Sequence, residues 1–272
     1  MSQNRSRLAL CSLMCALLIS EFRGTGSVGT MSRLIGVILL FLTAMLVYVP
    51  PVQAENRSMA LDGSWSMCPN PKTRFCISFD TIASLTTTHA NDVVVLVAQS
   101  KRGSNVTSVV DDGGHVWTLR AVTNGRNPIW EYYTIADSLL SSDRISVTWT
   151  NGHTDAYSAF VVFGVSGANT HDPWAPRFSV ERTGWDGSSV VLSAAGSGDF
   201  VIVSTAVNDA PPCFTTTDIL PFQNIGEIGW GVYGEADYSI TSIGGAKTVS
   251  FSCNPYSDPA TFLGDALRGP GR

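Results

Sequence analysis

The residues best suited to acid–base chemistry are three glutamates that lie beside aromatic side chains. Glu131 lies in the aromatic segment 130–133, and Glu227 and Glu235 flank Trp230. Two carboxyl groups about 5–10 Å apart can cleave a glycosidic bond, one as the acid and the other as nucleophile or base. A glycoside hydrolase with a β-sandwich fold is therefore one alternative function. It requires Glu131 to face Glu227 or Glu235 across a cleft, because an isolated glutamate on a strand usually only solubilises the surface.

Three tryptophans lie in segments that are too rich in proline and glycine to be core strands. They are Trp174, Trp185 and Trp230. Exposed rings of this kind stack on sugars or anchor a protein partner, since they bury a large area at a low entropic cost. These residues predict the ligand-binding surface of a carbohydrate-binding module. The alternative is that each ring caps one end of a hydrophobic core.

Metal-ligating residue types occur without a recognised ligand spacing. No two of the four histidines are separated by two or four residues, and we predict no metal site from them: His89, His115, His153 and His171. Asp111 and Asp112 share one turn, and Asp186 and Asp209 lie in loops, so calcium binding by their oxygens is the one cofactor alternative. Turns also favour Asp for backbone reasons alone. No Gly-x-Ser-x-Gly motif marks a serine nucleophile.

An apolar leader precedes the rest of the chain. The stretch 8–20 is too short to span a bilayer, whereas 34–49 follows Arg33 and runs into a proline pair and Ala54. This arrangement is typical of a secretory signal cleaved after Ala54, and the alternative is an uncleaved anchor at 34–49. A signal that begins at Met31 has an ordinary length. We therefore expect an upstream extension at 1–30, a signal peptide or membrane anchor at 31–54, and a single β-sandwich domain at 55–272.

The use of cysteine agrees with export. Four cysteines follow the leader, an even number that suits an oxidising compartment: Cys68, Cys76, Cys213 and Cys253. Three disulfide pairings are open, and locality favours Cys68–Cys76 with Cys213–Cys253. Asn56 and Asn105 begin Asn-x-Ser/Thr sequons for glycosylation.

Alternating and continuous apolar runs predict strands throughout the chain after the leader, and no segment there shows a helical period. The predicted strands are Ile77–Leu85, Asp92–Gln99, Val106–Val110, His115–Val122, Ile129–Ile135, Arg144–Thr150, Ala156–Val165, Ser188–Leu192, Asp199–Ala206, Gly229–Ile240 and Lys247–Cys253. Asp111–Gly114 is expected to form a tight hairpin. The spacing of about ten residues per strand indicates an all-β fold, a two-sheet antiparallel β-sandwich preceded by a hydrophobic leader helix.

Two segments of the predicted sheets resemble each other. Asn91-Asp92 and Gly198-Asp199 each precede an apolar strand, at an offset of 107 residues between the aspartates. The repeat predicts one copy in each half of a pseudo-symmetric sandwich, and the alternative is that strand starts are simply alike.

Composition narrows the function classes. Of 272 residues, 14% are charged and 44% are hydrophobic, and the net charge is −5. This excludes a disordered acidic chain, which combines high charge with low hydrophobicity. The acidic balance also argues against a nucleic-acid partner, which normally requires a basic surface.

Several stretches resemble a known group of proteins: 60–64, 84–88, 91–94, 106–111, 117–118, 129–133 and 166–169. The chain resembles secreted, jelly-roll-like β-sandwich proteins of archaeal surfaces, with relatives among bacterial surface proteins. It is similar in build to subunits of some archaeal extracellular filaments. The shared motifs are turns and strand starts, so the resemblance implies a fold and a surface setting without site residues.

We therefore predict a non-enzymatic extracellular protein of the cell surface, with a structural or adhesive role that includes self-association. Its expected partners are itself, other surface proteins or glycans. It meets a membrane only through an uncleaved leader. The carbohydrate-binding module and the glycosidase are the alternatives.

Overall fold

The computed structural model divides the chain into two compact units, Met1–Glu55 and Asn56–Arg272, and all residues described below belong to the second. The described residues are 58–66, 82–100, 104–150, 158–176, 180–184, 189–208, 214–215, 222–229, 232–241, 244–252 and 260–270. The predicted leader lies outside them. Within these ranges no helix is long and apolar enough to cross a membrane.

The described residues form sixteen strands and no helix. The strands are β1 (Ala60–Ser66), β2 (Ile82–Leu85), β3 (Asp92–Ser100), β4 (Val106–Asp111), β5 (Thr118–Val122), β6 (Ile129–Ala136), β7 (Asp143–Trp149), β8 (Ser158–Ser166), β9 (Val180–Gly184), β10 (Ser189–Ala195), β11 (Phe200–Asn208), β12 (Phe214–Thr215), β13 (Gln223–Gly229), β14 (Val232–Ile240), β15 (Gly245–Ser252) and β16 (Ala260–Leu267). Neighbouring strands are antiparallel throughout. The all-β, antiparallel prediction is confirmed.

The strands form four sheets, where the sequence predicts two. The first inner sheet has the order β1-β8-β3-β6-β5, and the first outer sheet is β2-β7-β4. The second inner sheet is β9-β16-β11-β14-β13, and the second outer sheet is β10-β15-β12. If eight is added to each strand number in the first inner and first outer sheets, the strand orders of the second inner and second outer sheets result. The chain therefore consists of two halves with the same topology.

The repeat seen in the sequence falls on equivalent strands of these halves. Asp92 begins the central inner strand β3, Asp199 directly precedes its counterpart β11, and both are buried. The preceding residues, Asn91 and Gly198, have left-handed φ angles of 62° and 85°. Glycine and asparagine tolerate that conformation best, which explains why these residue types stand there.

Hydrophobic contacts join the four sheets into layers. One core lies between the two inner sheets, and it contains Val93, Val95 and Val97 of β3 together with Phe200 and Ile202 of β11. The alternate residues of β3 face the first outer sheet in a second core. A third core lies on the other face of the second inner sheet and includes Val249 of β15. The continuous apolar run of β3 is thus buried on both faces, as the sequence predicts for a central strand.

The predicted hairpin at Asp111–Gly114 is wrong. β4 pairs with β7, whereas β5 pairs with β6, so the chain between them passes from the outer to the inner sheet. The Asp-Gly-rich turn is real, since the Gly114 amide donates to the Asp111 carbonyl at 3.3 Å. Turn residues signal a reversal but do not specify which strands pair.

Asp62 of β1 is hydrogen-bonded to the turn before β3. Its carboxylate accepts hydrogen bonds from the Thr88 amide at 3.0 Å, the Thr88 hydroxyl at 2.7 Å and the His89 amide at 2.8 Å. The His89 ring nitrogen lies 2.9 Å from the same carboxylate. Burial alone would raise the pKa of Asp62, but these donors outweigh burial and hold it at about 2.

We expect Asp62→Asn to destabilise the protein by about 2 kcal/mol at pH 7, the free energy that corresponds to the lowered pKa. The ionised form is favoured in the folded state, so its contribution is complete above pH 4 and disappears as the pH falls towards 2. Denaturant unfolding at pH 7 and thermal unfolding between pH 2 and 5 measure both effects. The exposed Asp137→Asn is the control, and an equal effect of the two changes would contradict the role of Asp62.

Candidate functional site

A charged cluster lies between the two inner sheets and consists of Arg120, Glu131 and Asp265. Arg120 stands at a bulge of β5, where the pairing with β6 shifts between Leu119 and Ala121. Its guanidinium donates to the Asp265 carboxylate of β16 through Nε at 2.8 Å and Nη2 at 3.2 Å. Burial raises the pKa of Asp265, and this two-point pairing opposes that effect, because it satisfies both carboxylate oxygens with charged donors.

Glu131 is the second carboxyl group of the charged cluster, beside Asp265. It points into the space between the inner sheets, on the same side of β6 as Ile129 and Tyr133, and is 1% exposed. Burial raises the pKa of Glu131 well above its ordinary value, and the neighbouring Asp265 carboxylate raises it further. Both effects disfavour the charged form of Glu131, and the Arg120 cation opposes them.

Trp174 completes this buried site and does not form a ligand surface. The sequence interpretation of Trp174 as an exposed sugar-binding residue is wrong, since the residue is 6% exposed and belongs to the core between the inner sheets. Its ring contacts Tyr133 edge-on at 5.4 Å and lies 5.0 Å from the Arg120 guanidinium carbon. Backbone bonding explains the burial, because Ala175 donates to the carbonyl of Ala266 and extends the sheet beside β16.

The charged cluster has an apolar counterpart at the equivalent place in the other half. β13 has the same bulge as β5, between Asn224 and Gly226, and it places Ile225 where β5 has Arg120. Strand pairing aligns Ala236 with Glu131 and Phe163 with Asp265. All three counterparts lie in the core between the inner sheets. The contacts of β6 with β11 and β16 are matched by those of β14 with β3 and β8, as expected for halves related by a two-fold rotation.

A second acidic group lies on the opposite face of the second inner sheet. Glu227 and Glu235 are directly paired across β13 and β14, and Asp237 stands two residues further along β14. The Asn224 amide donates to Glu235 at 3.0 Å and to Asp237 at 3.2 Å. Burial raises the pKa of Glu235 to about 9, with a further contribution from Asp237, so Glu235 is protonated at pH 7.

The structure does not form the cleft that a glycosidase would need between these glutamates. Glu131 faces the core between the inner sheets, whereas Glu235 lies on the face of β14 that carries Tyr233 and points to the other core. Glu227 shares the face of Glu235, because directly paired residues point the same way. The second inner sheet therefore separates Glu131 from both proposed partners.

A histidine-containing cleft lies at the end of the first outer sheet. Ligand atoms of Asp111, His115 and Asp143 lie within 4.8 Å of one another. His115 and Asp143 border a polar cavity of about 330 Å³, which Asp112 also lines. The calcium prediction named Asp111 and Asp112 but missed His115, which follows Asp111 by four residues, and Asp143, which β7 brings from elsewhere in the chain.

The other histidines that the structure describes do not form a ligand group. His89 contacts Asp62, and His171 lies in an exposed turn where its amide donates to Asn169. His153, Asp186 and Asp209 lie outside the described residues.

Exposed apolar side chains concentrate on the segment from β4 to β5. Of seven large exposed hydrophobic residues in the described chain, four belong to this segment: Val110, Val116, Leu119 and Val122. Leu119 and Val122 pair with Tyr132 and Trp130, so both point towards the side of the first outer sheet. Both β4 and β5 are edge strands of their sheets. We call Val116, Leu119 and Val122 the apolar edge.

Several predicted sites lie outside the described residues. These are Trp185, Trp230, Asn56, Cys68, Cys76, Cys213 and Cys253. The second sequon is described, and Asn105 is exposed directly before β4. Its position as a glycosylation acceptor stays a prediction.

Comparison of the chain with protein families, curated proteins and solved structures finds no match. The resemblance to archaeal surface proteins therefore stays a prediction from the sequence.

Proposed function

We propose that the protein is a non-enzymatic extracellular surface protein with a structural or adhesive role, and that it self-associates through the apolar edge. The observation that carries this proposal is the concentration of exposed apolar side chains beside two edge strands. Large apolar patches on the surface of soluble proteins usually mark an interaction site. The extracellular setting rests on the leader and the even cysteine number in the sequence.

We further propose that each half is a jelly-roll-like sandwich. Eight antiparallel strands are divided between two facing sheets, and early strands alternate with late ones in both. This arrangement is typical of double-sheet jelly rolls. β5 departs from a symmetric division, since it joins the inner sheet through β6 and leaves β4 without a second neighbour. Because β4 and β5 do not pair with each other, each has an unpaired edge, and the exposed apolar side chains lie beside these two edges.

The expected contact is made by side chains rather than by continuous strand addition. β5 has a bulge and carries Arg120 pointing into the core, and both features disfavour the pairing of another strand along an edge. Leu119 and Val122 are 47% and 45% exposed and project from the same face. A second copy that covers this face would bury both residues without extending the sheet.

Leu119→Lys combined with Val122→Lys is expected to weaken self-association by about a hundredfold or more, because two buried aliphatic side chains are lost from the contact. Light scattering after size exclusion, with negative-stain microscopy, measures assembly of the secreted protein over a concentration series. Ile240→Lys is the matched control, since Ile240 is 41% exposed at the end of β14 in the other half. A wild-type protein that stays monomeric at all concentrations would refute the proposal, as would equal effects of the double variant and the control.

A further inference from the structure

The cleft at the end of the first outer sheet brings together three side chains from two strands and a turn. Asp111 is the last residue of β4, and Asp143 is the first residue of β7. The register pairs Asp111 with Ile145, which places Asp143 diagonally across from Asp111. His115 returns to Asp111 through a turn in which Gly114 has a φ of 72°, a left-handed angle that glycine adopts without strain.

Gly113 shapes the pocket for the imidazole. A Cβ atom at this position would lie 2.4 Å from the His115 Cε1 atom and 2.7 Å from Nδ1, so the ring occupies space that only glycine leaves free. The Gly113 amide also donates to Asp143 Oδ1 at 3.1 Å. One residue therefore positions both the ring and the second carboxylate.

Asp111 is held rigidly inside the cleft. Its side chain has no exposed surface, and it accepts hydrogen bonds from the His115 amide at 2.9 Å and the Trp117 indole at 2.6 Å. The His115 Nδ1 atom lies 3.2 Å from Asp111 Oδ1. Ligands that are fixed by such outer hydrogen bonds lose little entropy when they bind a metal.

Asp143 leaves one oxygen without a partner. Its Oδ2 atom is inaccessible to solvent and accepts no hydrogen bond from any residue that the structure describes. Asp112 adds a further carboxylate to the lining of the cavity.

We propose that Asp111, His115 and Asp143 bind one zinc ion, with water from the cavity completing its coordination. Zinc takes imidazole nitrogen and carboxylate oxygen together in four-coordinate sites, whereas calcium prefers a shell of oxygens alone. The ligand atoms, within 4.8 Å of one another, converge on one point with small side-chain movements. In the second half Leu192 corresponds to Leu85 and pairs with Lys247, where Leu85 pairs with Asp143, so the described residues repeat no such site there.

The direct test is zinc binding to the tag-free, full-length secreted protein after treatment with EDTA. Calorimetry is expected to show one high-affinity zinc site per chain. His115→Asn and Asp143→Asn each should weaken it by at least about a hundredfold, because each removes one of three ligands. His89→Asn is the matched control and should leave the affinity unchanged, although His89 also contacts an aspartate.

Gly113→Ala provides a variant that keeps every ligand. The added methyl group displaces the imidazole, and we expect the zinc affinity to fall about 10–100-fold, as when a supporting residue is lost. If the ligand variants fail to fold, this variant and cobalt spectroscopy decide the question. Cobalt in this site should give weak visible bands without thiolate charge transfer, since the cysteines are not ligands.

Four results would overturn the proposal. They are the absence of zinc binding in the wild-type protein, zinc affinity that is indifferent to these changes, a cobalt spectrum with thiolate bands, and binding of calcium in place of zinc. None of them bears on self-association, which depends on Leu119 and Val122 and is measured without added metal.

Discussion

Arg120→Met will destabilise the protein by about 3–5 kcal/mol, the usual result of leaving a buried charge without its partner. Asp265 loses its two-point hydrogen bonding at 2.8 and 3.2 Å and stays 1% exposed beside Glu131. Trp174 also loses the guanidinium that lies over its ring. Denaturant unfolding at pH 7 measures the change in the free energy of unfolding.

The molecule contains its own control for this prediction. Ile225 occupies the position equivalent to Arg120 in an apolar setting, so Ile225→Met should cost less than about 1.5 kcal/mol. A triple variant can replace the charged cluster by its apolar counterpart, with Arg120→Ile, Glu131→Ala and Asp265→Phe. Its free energy of unfolding should lie within about 1 kcal/mol of the wild-type value. An Arg120→Met variant as stable as the wild type would show that the charged cluster has no energetic role.

Glu235→Gln will stabilise the protein at alkaline pH by up to about 6 kcal/mol at pH 9, at roughly 1.4 kcal/mol for each unit of pKa difference. The pKa of Glu235 is about 9 in the folded chain against an ordinary value of 4.5, because burial and Asp237 disfavour its charge. Between these values the folded state binds a proton that the unfolded state releases. The contribution of the Glu235 proton to the free energy of unfolding is therefore complete below pH 4.5, and it is lost as the pH rises towards 9.

Unfolding free energies of both proteins between pH 4 and 9 test this dependence. Glutamine can still accept the hydrogen bond from Asn224, so the two proteins should be equally stable near pH 4 and diverge above it. Glu227→Gln is the comparison, since Glu227 is only half-buried and should show a smaller divergence. Parallel pH profiles of wild type and Glu235→Gln would contradict the prediction.

Much of the fold could be predicted from the sequence where side chains alone determine the local structure. The run 93–98 is apolar at every position because both faces of β3 are covered. β1 and β16, two of the strands that the sequence does not predict, contain interruptions that have structural reasons. β1 includes Gly63 at a φ of 82° beside a bulge, and β16 includes Asp265, whose charge is compensated by Arg120 from the other half. The sequence around Asp265 contains no pattern that identifies Arg120 as its partner.

The number of sheets could not be predicted from the sequence. Alternating apolar and polar residues show that one face of a strand is buried, but they do not show which sheet covers that face. The same limit applies to the sites. Glu131 and Glu235 are equally conspicuous in the sequence, but they belong to different inner sheets, and the register turns Glu235 away from the core that Glu131 faces. Trp174 lies in a segment with two prolines, yet backbone pairing with Leu267 draws it into the core. His115 and Asp143 come together only through the pairing of β4 with β7.

The single charged cluster determines which half can pair with which. Two copies of the first half, packed in the same two-fold manner, would bury Arg120 and Glu131 against Phe163 and leave the guanidinium without Asp265. Two copies of the second half would bury Asp265 against Ile225 and Ala236, with no cation to meet it. Either like-with-like pair pays the desolvation cost of an uncompensated charge, whereas the unlike pair does not. Each half therefore packs stably only against a half of the other kind. If neighbouring molecules exchanged halves, the charges would be compensated only where a first half packs against a second half.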